Sequence, residues 1–140
     1  MRKPLTIGLC SVVIVCILAL QSFAAEAEKA AVKAAEEWLV LVDTGKYSQS
    51  WEEVAAPFQQ AITREKWAEA IKSVRPAFGD VVQRNLKSAK YSKTLPGAPD
   101  GEYVVIQFLT EFTRKKEALE TVTTMKDPDG KWRVGGYYIK

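Results

Sequence analysis

The chain has 140 residues, a formal net charge of +3 and no histidine, and both of its cysteines, Cys10 and Cys16, lie in an apolar N-terminal segment. Removal of that segment leaves neither imidazole nor thiol, which excludes the commonest general base, the thiol nucleophile, histidine or cysteine zinc sites and disulfides. The basic residues are dispersed along the chain, so we expect no nucleic-acid interface.

The N-terminal segment has the order of residues that is typical of a secretory signal peptide. A basic start precedes an uncharged apolar run over residues 5–20, and small residues surround Ala24. We predict that residues 1–24 are cleaved after Ala24, with Ala27 as the second choice of site, and that residues 25–140 form a single domain. An uncleaved membrane anchor is the alternative, but the apolar run falls short of the roughly 20 residues that span a bilayer. We therefore expect no stable membrane insertion after cleavage.

Apolar residues recur every three or four positions in the first half of the mature sequence, which predicts helices. The first helix covers residues 27–42. Its apolar stripe consists of Ala31, Ala35, Trp38, Leu39 and Val42. A short second helix, capped by Ser48, carries Trp51 and Val54. Pro57 limits this second helix, because proline cannot continue a helix.

A third helix begins after Thr63, a good N-cap residue, and Glu65 in its first turn complements the helix dipole. Gly79 closes it. Apolar residues follow one another at spacings of four, three and four, which predicts a single apolar face. The residues of this face are Trp67, Ile71, Val74 and Phe78.

The second half of the sequence changes to a period of two, which predicts a sheet. The four predicted strands cover residues 81–91, 102–113, 118–126 and 132–140. Residues 127–130 form a hairpin turn, and Gly135 and Gly136 suit a bulge in the last strand. The order of elements predicts an α+β fold class, with N-terminal helices packed on a curved four-stranded antiparallel sheet.

The second predicted strand has two distinct faces. The face that we expect to pack on the helices consists of Val104, Ile106, Phe108, Thr110 and Phe112. The other face consists of Tyr103, Val105, Gln107, Leu109 and Glu111. This second face is unusually apolar for a solvated surface, so we predict a homodimer that forms through the outer face of the sheet.

Several motifs along the mature chain together resemble a known family. They include residues 38–39, 43–47, 50–51, 95–97, 99–103, 120–122, 130–134 and 136–138, together with Trp67 and Arg75. The sequence resembles a bacterial family of small exported proteins catalogued as a domain of unknown function, number four thousand and nineteen. The resemblance implies a periplasmic or extracellular bacterial protein with a nuclear-transport-factor-2-like, or cystatin-like, fold. It implies no activity, ligand or catalytic residue.

Glu111 and Glu120 are the candidate catalytic residues, because a fold of this shape can hold an acid–base site similar to that of ketosteroid isomerase. The candidate hydroxyl donors for such a site are Tyr103, Tyr137 and Tyr138. The alternative is that Glu120 is an ion-paired strand residue, with Arg84 or Arg133 as its partner. We favour the alternative, because a fold by itself is a weak argument for an activity.

Three aromatic residues, Trp51, Tyr103 and Tyr138, are candidate ligand-binding residues, with Trp51 placed near the mouth of a conical fold. We assign no metal site: Asp127 and Asp129 are accounted for by the geometry of a tight turn. No sequence motif indicates a cofactor. The leading hypothesis is therefore a non-catalytic exported module that binds a small molecule, a peptide or an envelope protein, and the competing one is the acid–base enzyme.

Overall fold

The computed structural model describes residues 10–140, with side chains from residue 16 onward, and the basic start of the predicted signal peptide lies outside the described residues. The described chain forms the helices α1 (Cys10–Asp43), α2 (Tyr47–Glu52), α3 (Ala56–Ala61) and α4 (Arg64–Val74), followed by a 3-10 turn at Arg75–Ala77. Helix α1 passes both predicted cleavage sites without a break. Within residues 10–140, no helix combines the length and the apolar character needed to cross a membrane.

The second half of the chain forms an antiparallel sheet whose strands lie in sequence order. The strands are β1 (Val81–Ser92), β2 (Tyr103–Phe112), β3 (Lys115–Lys126) and β4 (Trp132–Ile139). These bounds lie within one to three residues of the predicted ones. The predicted α+β class with a four-stranded antiparallel sheet is therefore confirmed.

The core lies between α1 and the inner face of the sheet. All five residues of the predicted α1 stripe are buried, and so are all five residues on the predicted inner face of β2. Burial of apolar surface contributes roughly 25 cal/mol per Å², so these two faces supply much of the folding free energy.

Ser50 connects the helices to one another inside the core. The indole nitrogen of Trp38 donates a hydrogen bond to the Ser50 carbonyl at 2.9 Å, and that of Trp67 donates to the Ser50 hydroxyl, also at 2.9 Å. The Ser50 hydroxyl in turn donates to the carbonyl of Tyr47. The short helix α2 is thereby fixed against both α1 and α4.

Three predictions for the second helix are wrong. Ser48 lies inside α2, which begins at Tyr47, and no side chain caps this helix. Val54 lies beyond the end of α2 at Glu52 and forms an isolated parallel bridge with Val134 of β4. Pro57 lies in the first turn of α3, which begins at Ala56, instead of limiting α2, because the first turn of a helix does not need the N–H that proline lacks. Pairing with the edge of the sheet therefore replaces helix continuation at this point.

The third predicted helix ends earlier than its apolar pattern indicated. Thr63 caps α4 by accepting a backbone hydrogen bond at 3.3 Å, as predicted. The helix stops at Val74, before Pro76, because proline cannot donate to the preceding turn. Trp67 and Ile71 are buried, but Val74 is 43% exposed, so the predicted single face is interrupted.

The sheet has four register shifts: two in the β1–β2 pair, one in the β2–β3 pair and one in the β3–β4 pair. Two of them lie away from the strand ends. In β1 the register shifts between Leu86 and Ser88, which leaves Lys87 as the additional residue. In β4 the shift lies opposite Thr123 and Thr124 and makes Gly135 the additional residue, as predicted from the glycine pair. Bulges of this kind increase the local twist and re-aim the side chains beside them.

Candidate functional site

Four charged side chains meet on the inner side of the sheet, at the C-terminal end of α1. This Arg84 network consists of Asp43, Arg75, Arg84 and Glu120. Arg84 Nε donates to Glu120 Oε1 at 2.8 Å, and Arg84 Nη2 donates to Glu120 Oε2 at 3.2 Å. On its other side, Arg84 donates to both oxygens of Asp43, at 2.7 and 3.0 Å. One guanidinium group thus binds two carboxylates at once.

Glu120 has no exposed surface, and its two oxygens are fully occupied. The Thr110 hydroxyl donates to Oε1 at 2.5 Å, and the Tyr137 hydroxyl donates to Oε2 at 2.6 Å. With the two bonds from Arg84, each oxygen accepts two hydrogen bonds, which is the usual capacity of a carboxylate oxygen. A general base must reach the proton that it removes, and Glu120 has no acceptor position left for a substrate.

Arg75 completes the network from the turn that follows α4. Its side chain is 4% exposed and donates to Asp43 Oδ1 and to the carbonyl of Gly79, both at 2.8 Å. The guanidinium group also lies over the ring of Phe112, 4.3 Å from the ring centroid. Two cations therefore balance two anions, which is the condition under which buried charges are tolerated.

The pKa values of Asp43, Arg84 and Tyr137 are shifted, and the shifts indicate the protonation states of these three groups. Burial raises the pKa of the Asp43 carboxyl, but hydrogen bonds from Arg84 and Arg75 outweigh burial and leave that pKa below its usual value. Burial lowers the pKa of Arg84, and the bonds to Asp43 and Glu120 raise it above its usual value. The pKa of Tyr137 is raised, first by burial and then by the neighbouring Glu120. At neutral pH Asp43 is ionised and Tyr137 stays a neutral donor.

Strand register explains how the sheet contributes to this site. Arg84 lies opposite Thr110 in the β1–β2 pair, and Glu120 lies opposite Phe108 in the β2–β3 pair, so all are at inward positions. Of the two partners predicted for Glu120, the structure pairs it with Arg84. Arg133 binds two carboxylates of the β3–β4 turn instead.

The other candidate carboxylate, Glu111, lies on the opposite face of the sheet and is 39% exposed. Of the candidate hydroxyl donors, Tyr137 alone bonds to a candidate carboxylate. Tyr103 donates to the carbonyl of Pro99 at 2.6 Å, and Tyr138 is 61% exposed on the outer face. The structure therefore brings one predicted pair together and leaves Glu111 apart from it.

The family described as "Protein of unknown function (DUF4019)" matches residues 34–137, a range that contains the whole Arg84 network. The chain belongs to this family. No curated protein matches the chain. The family description supplies no ligand or reaction, so chemical conclusions about this member depend on its geometry.

In this family member the three candidate ligand-binding residues do not share one site. Trp51 is half-buried in the helical layer, and its indole nitrogen donates to the carbonyl of Ile62 at 2.8 Å. Tyr103 and Tyr138 lie on the outer face of the sheet, in different rows of paired residues. Tyr103 is 4% exposed, because the loop that precedes β2 passes over its ring.

The outer sheet face retains exposed apolar side chains. Leu109 is 48% exposed and Tyr138 is 61% exposed, and no helix of the described chain buries either one. An open groove of about 690 Å³ lies on this face around Leu109 and Leu119. Its charged lining residues carry both signs: Glu111, Lys115, Lys116, Glu117 and Lys140.

Residues 16–140 offer no group of three histidine, cysteine, aspartate or glutamate side chains that could hold one metal ion. Asp127 and Asp129 belong to the β3–β4 turn, where the amide of Gly130 donates to the Asp127 carbonyl at 2.8 Å. Their carboxylates bind Arg133. Hydrogen bonding within the turn thus accounts for both residues, apart from one oxygen of Asp127.

Proposed function

We propose that this protein is an exported, non-catalytic interaction module of the bacterial envelope, and that it self-associates through its outer sheet face. The observation that carries the proposal is the exposure of Leu109 and Tyr138 on that face. Apolar patches left open on a soluble domain are typical of surfaces that bind another protein. Of the two candidate catalytic carboxylates, Glu120 is in contrast buried and saturated with donors, and Glu111 bonds to no candidate hydroxyl donor.

A second copy of the chain is the occupant that fits this face best. Lysine and glutamate side chains border the groove together, so the face is complementary in charge to itself. Loss of residues 1–24 also brings the net charge from +3 to about +1, which leaves little long-range repulsion between copies. A face that meets its own copy in a twofold dimer must be self-complementary in this way.

Export is supported by where burial begins along α1. Among the residues whose side chains are described, Ile17, Leu18, Leu20 and Phe23 are each at least half exposed, and the first buried one is Ala27. The Phe23 ring meets that of Tyr91 edge-on, with centroids 5.8 Å apart, but the apolar residues 17–23 otherwise lie outside the core, as a removable segment must. A nuclear-transport-factor-2-like fold is part of the same proposal, and the packing of α1 on one face of a bulged antiparallel sheet supports it.

The acid–base enzyme remains the alternative function, and one contact favours it: the 2.6 Å hydrogen bond between Tyr137 and Glu120. Arg84 argues against it, because its two hydrogen bonds occupy acceptor positions of Glu120 that a substrate proton would need. Catalysis would first require Glu120 to separate from Arg84, which would leave the buried Glu120 carboxylate without its cation.

Sedimentation at micromolar concentration tests the proposed function, with protein purified from the envelope of a bacterial host. We expect a dimer for the natural sequence and a monomer for Leu109→Lys, because a buried unpaired lysine is costly at an interface. Val40→Lys is the matched control, since Val40 is 57% exposed on α1, away from the outer sheet face. We expect this control to remain dimeric. A monomeric natural protein, or a dimer that Leu109→Lys leaves intact, contradicts the proposal.

A further inference from the structure

The helix α1 changes from an unpacked to a packed segment between the two predicted cleavage sites. Among the described side chains from residue 16 to residue 26, none is buried. Ala27 is 8% exposed, and Ala31 and Ala35 are completely buried. The peptide bond after Ala24 therefore lies before the packed part of the helix, and the bond after Ala27 lies within it.

Both sites require α1 to unwind before a peptidase can act on them. Sites of this kind are recognised by small side chains at two positions that are two residues apart, such as Ser22 and Ala24. In a helix two such side chains point about 200° apart, whereas in an extended chain they point to the same side. The segment that enters the peptidase must therefore be extended, and its residues must first leave the helix.

Unwinding around Ala24 breaks few contacts outside the helix itself. Phe23 is 50% exposed, and its ring meets that of Tyr91 edge-on. Helical segments without tertiary packing are only marginally stable in water. The helix can therefore open locally at this point while the rest of the domain stays folded.

Unwinding around Ala27 breaks contacts between α1 and the sheet. The Ala27 methyl group would leave the core, and the next residue, Glu28, would lose its hydrogen bond. The Glu28 carboxylate accepts this bond from the backbone amide of Tyr91 in β1, at 2.9 Å. Hydrogen bonds to a charged group are stronger than neutral ones, so this contact holds the helix closed at residue 28.

We propose that folding selects the processing site of this protein. In the folded full-length chain the bond after Ala24 stays open to an envelope peptidase, and the bond after Ala27 is closed. Hydrolysis adds one water across the Ala24–Ala25 bond, leaving a carboxyl group on Ala24 and an amino group on Ala25. The apolar start of α1 can thus be removed after the domain has folded. This inference rests on the export part of the proposed function and adds the state of the chain that is cut.

Digestion of the full-length chain in a mild detergent with elastase, which cleaves after alanine, tests the inference. Residues 24–35 include seven alanines, so one protease probes successive turns of α1, and intact mass identifies each product. Cleavage of a folded chain follows the population of its locally open state when opening is fast. We expect the bond after Ala27 to be protected at least about ten-fold more strongly than the bond after Ala24.

Protection is measured against the unfolded chain. Val122 is completely buried in β3, and Val122→Asp places an unpaired charge in the core, which is strongly destabilising. Urea is added to this variant until its near-ultraviolet circular dichroism is lost. Division of each folded rate by the rate in this reference removes the effects of detergent and of local sequence on cleavage.

Two variants locate the contact that closes the helix. Glu28→Met removes the carboxylate that binds the Tyr91 amide, and we expect it to lower protection of the bond after Ala27 about ten-fold. Glu26→Met is the matched control, since it loses the same charge in the same helical turn. Glu26 is exposed and forms no hydrogen bond among the described residues, so we expect this control to keep the protection.

Equal protection of the bonds after Ala24 and Ala27, or unchanged protection in Glu28→Met, overturns the inference. Protection of the bond after Ala24 as strong as that of the bond after Ala35 overturns it as well. Elastase reports on the folded chain whether or not a cell exports it, and none of these outcomes bears on dimerisation through the outer sheet face. Failure of this inference is therefore distinguishable from failure of the proposed function.

Discussion

Arg84 is the residue on which the stability of the buried charges depends. Its side chain is 14% exposed and contacts both carboxylates of the network. Arg84→Met keeps a similar apolar stem but leaves Asp43 and Glu120 without their shared cation. We expect the free energy of unfolding to fall by about 3–5 kcal/mol, as when one partner of a buried pair is removed. Urea denaturation measures this loss.

Arg64→Met is the matched control for this experiment. Arg64 lies 3.1 Å from Glu52, but both side chains are about half exposed. Exposed ion pairs contribute little, so we expect a change below about 1 kcal/mol. Equal losses in the two variants would contradict the assignment of a structural role to the network.

Asp43 gives the network a dependence on pH. Its pKa in the folded protein lies below the ordinary value of 3.8, because Arg84 and Arg75 outweigh the effect of burial. A carboxyl group with a lowered folded pKa stabilises the fold above its unfolded pKa, and this stabilisation is lost as pH falls towards the folded value. We therefore expect the free energy of unfolding to decrease below about pH 4, and less steeply in Asp43→Asn.

Denaturation curves between pH 7 and pH 2 provide the comparison. Asp100→Asn, on the exposed loop before β2, is the control and should retain the slope of the natural protein. An acid slope in Asp43→Asn that equals the natural one would show that other carboxylates determine the response to acid.

At the scale of elements, Gly79 fixes the turn between α4 and β1 against the β2–β3 turn. Its φ is +79°, and a Cβ atom there would collide with the Thr113 hydroxyl oxygen. Gly45 also has a positive φ, +74°, but nothing lies within 4 Å of its would-be Cβ. Gly45→Ala should therefore cost about 1–2 kcal/mol from backbone strain alone.

Gly79→Ala should cost at least about 1 kcal/mol more, because overpacking adds to the same strain. Thermal and urea unfolding of the two variants, measured side by side, give the difference. Similar losses would mean that the Thr113 side chain moves away freely and that the two turns are not coupled.

The sheet could be predicted from sequence because its signals are local. Alternation from Val104 to Phe112 sets one face of β2, and a turn with Asp, Pro and Gly sets the hairpin before β4. The helical half was less predictable where tertiary contacts compete with local preference. Val54 leaves its helix to pair with Val134, an interaction that no periodicity of residues 48–57 encodes.

The candidate site was predictable to the same extent. Arg84 and Glu120 fall at inward strand positions, so an ion pair between them follows from alternation and register. Asp43 ends a helix and Arg75 begins a turn, and only the packing of α1 and α4 on the sheet brings both to Arg84. Sequence spacing carries no information about such a convergence.

At the scale of the whole molecule, the chain separates two kinds of surface. Buried charges cancel on the inner side of the sheet, whereas the outer face keeps the apolar side chains of Leu109 and Tyr138 open to solvent. The residues that stabilise the fold, in the Arg84 network, therefore differ from those proposed to bind a second copy on the outer face. Variants at Leu109 can test self-association without disturbing the Arg84 network.

The start of the mature protein is also determined at this scale, because α1 belongs partly to the core and partly to the predicted signal peptide. Cleavage after Ala24 places Glu26 and Glu28 in the new first turn, where acidic residues stabilise a helix. The Glu28 carboxylate also accepts from the backbone amide of Tyr91 at 2.9 Å. Cleavage after Ala27 would remove Glu26 and the buried Ala27 side chain and place a positive terminus beside Glu28.

We therefore expect the exported protein to begin at Ala25, as read by N-terminal sequencing and intact mass after expression of the full chain in a bacterium. A protein that begins at Glu28 should have a free energy of unfolding about 1–2 kcal/mol lower than one that begins at Ala25. It lacks the buried Ala27 methyl group and the first-turn charge of Glu26, and its contact between Glu28 and the Tyr91 amide is weakened. Urea denaturation of the two forms compares them directly. Recovery of the chain with its first 24 residues still attached would contradict the export proposal, because the exposed apolar start of α1 would then belong to the working protein.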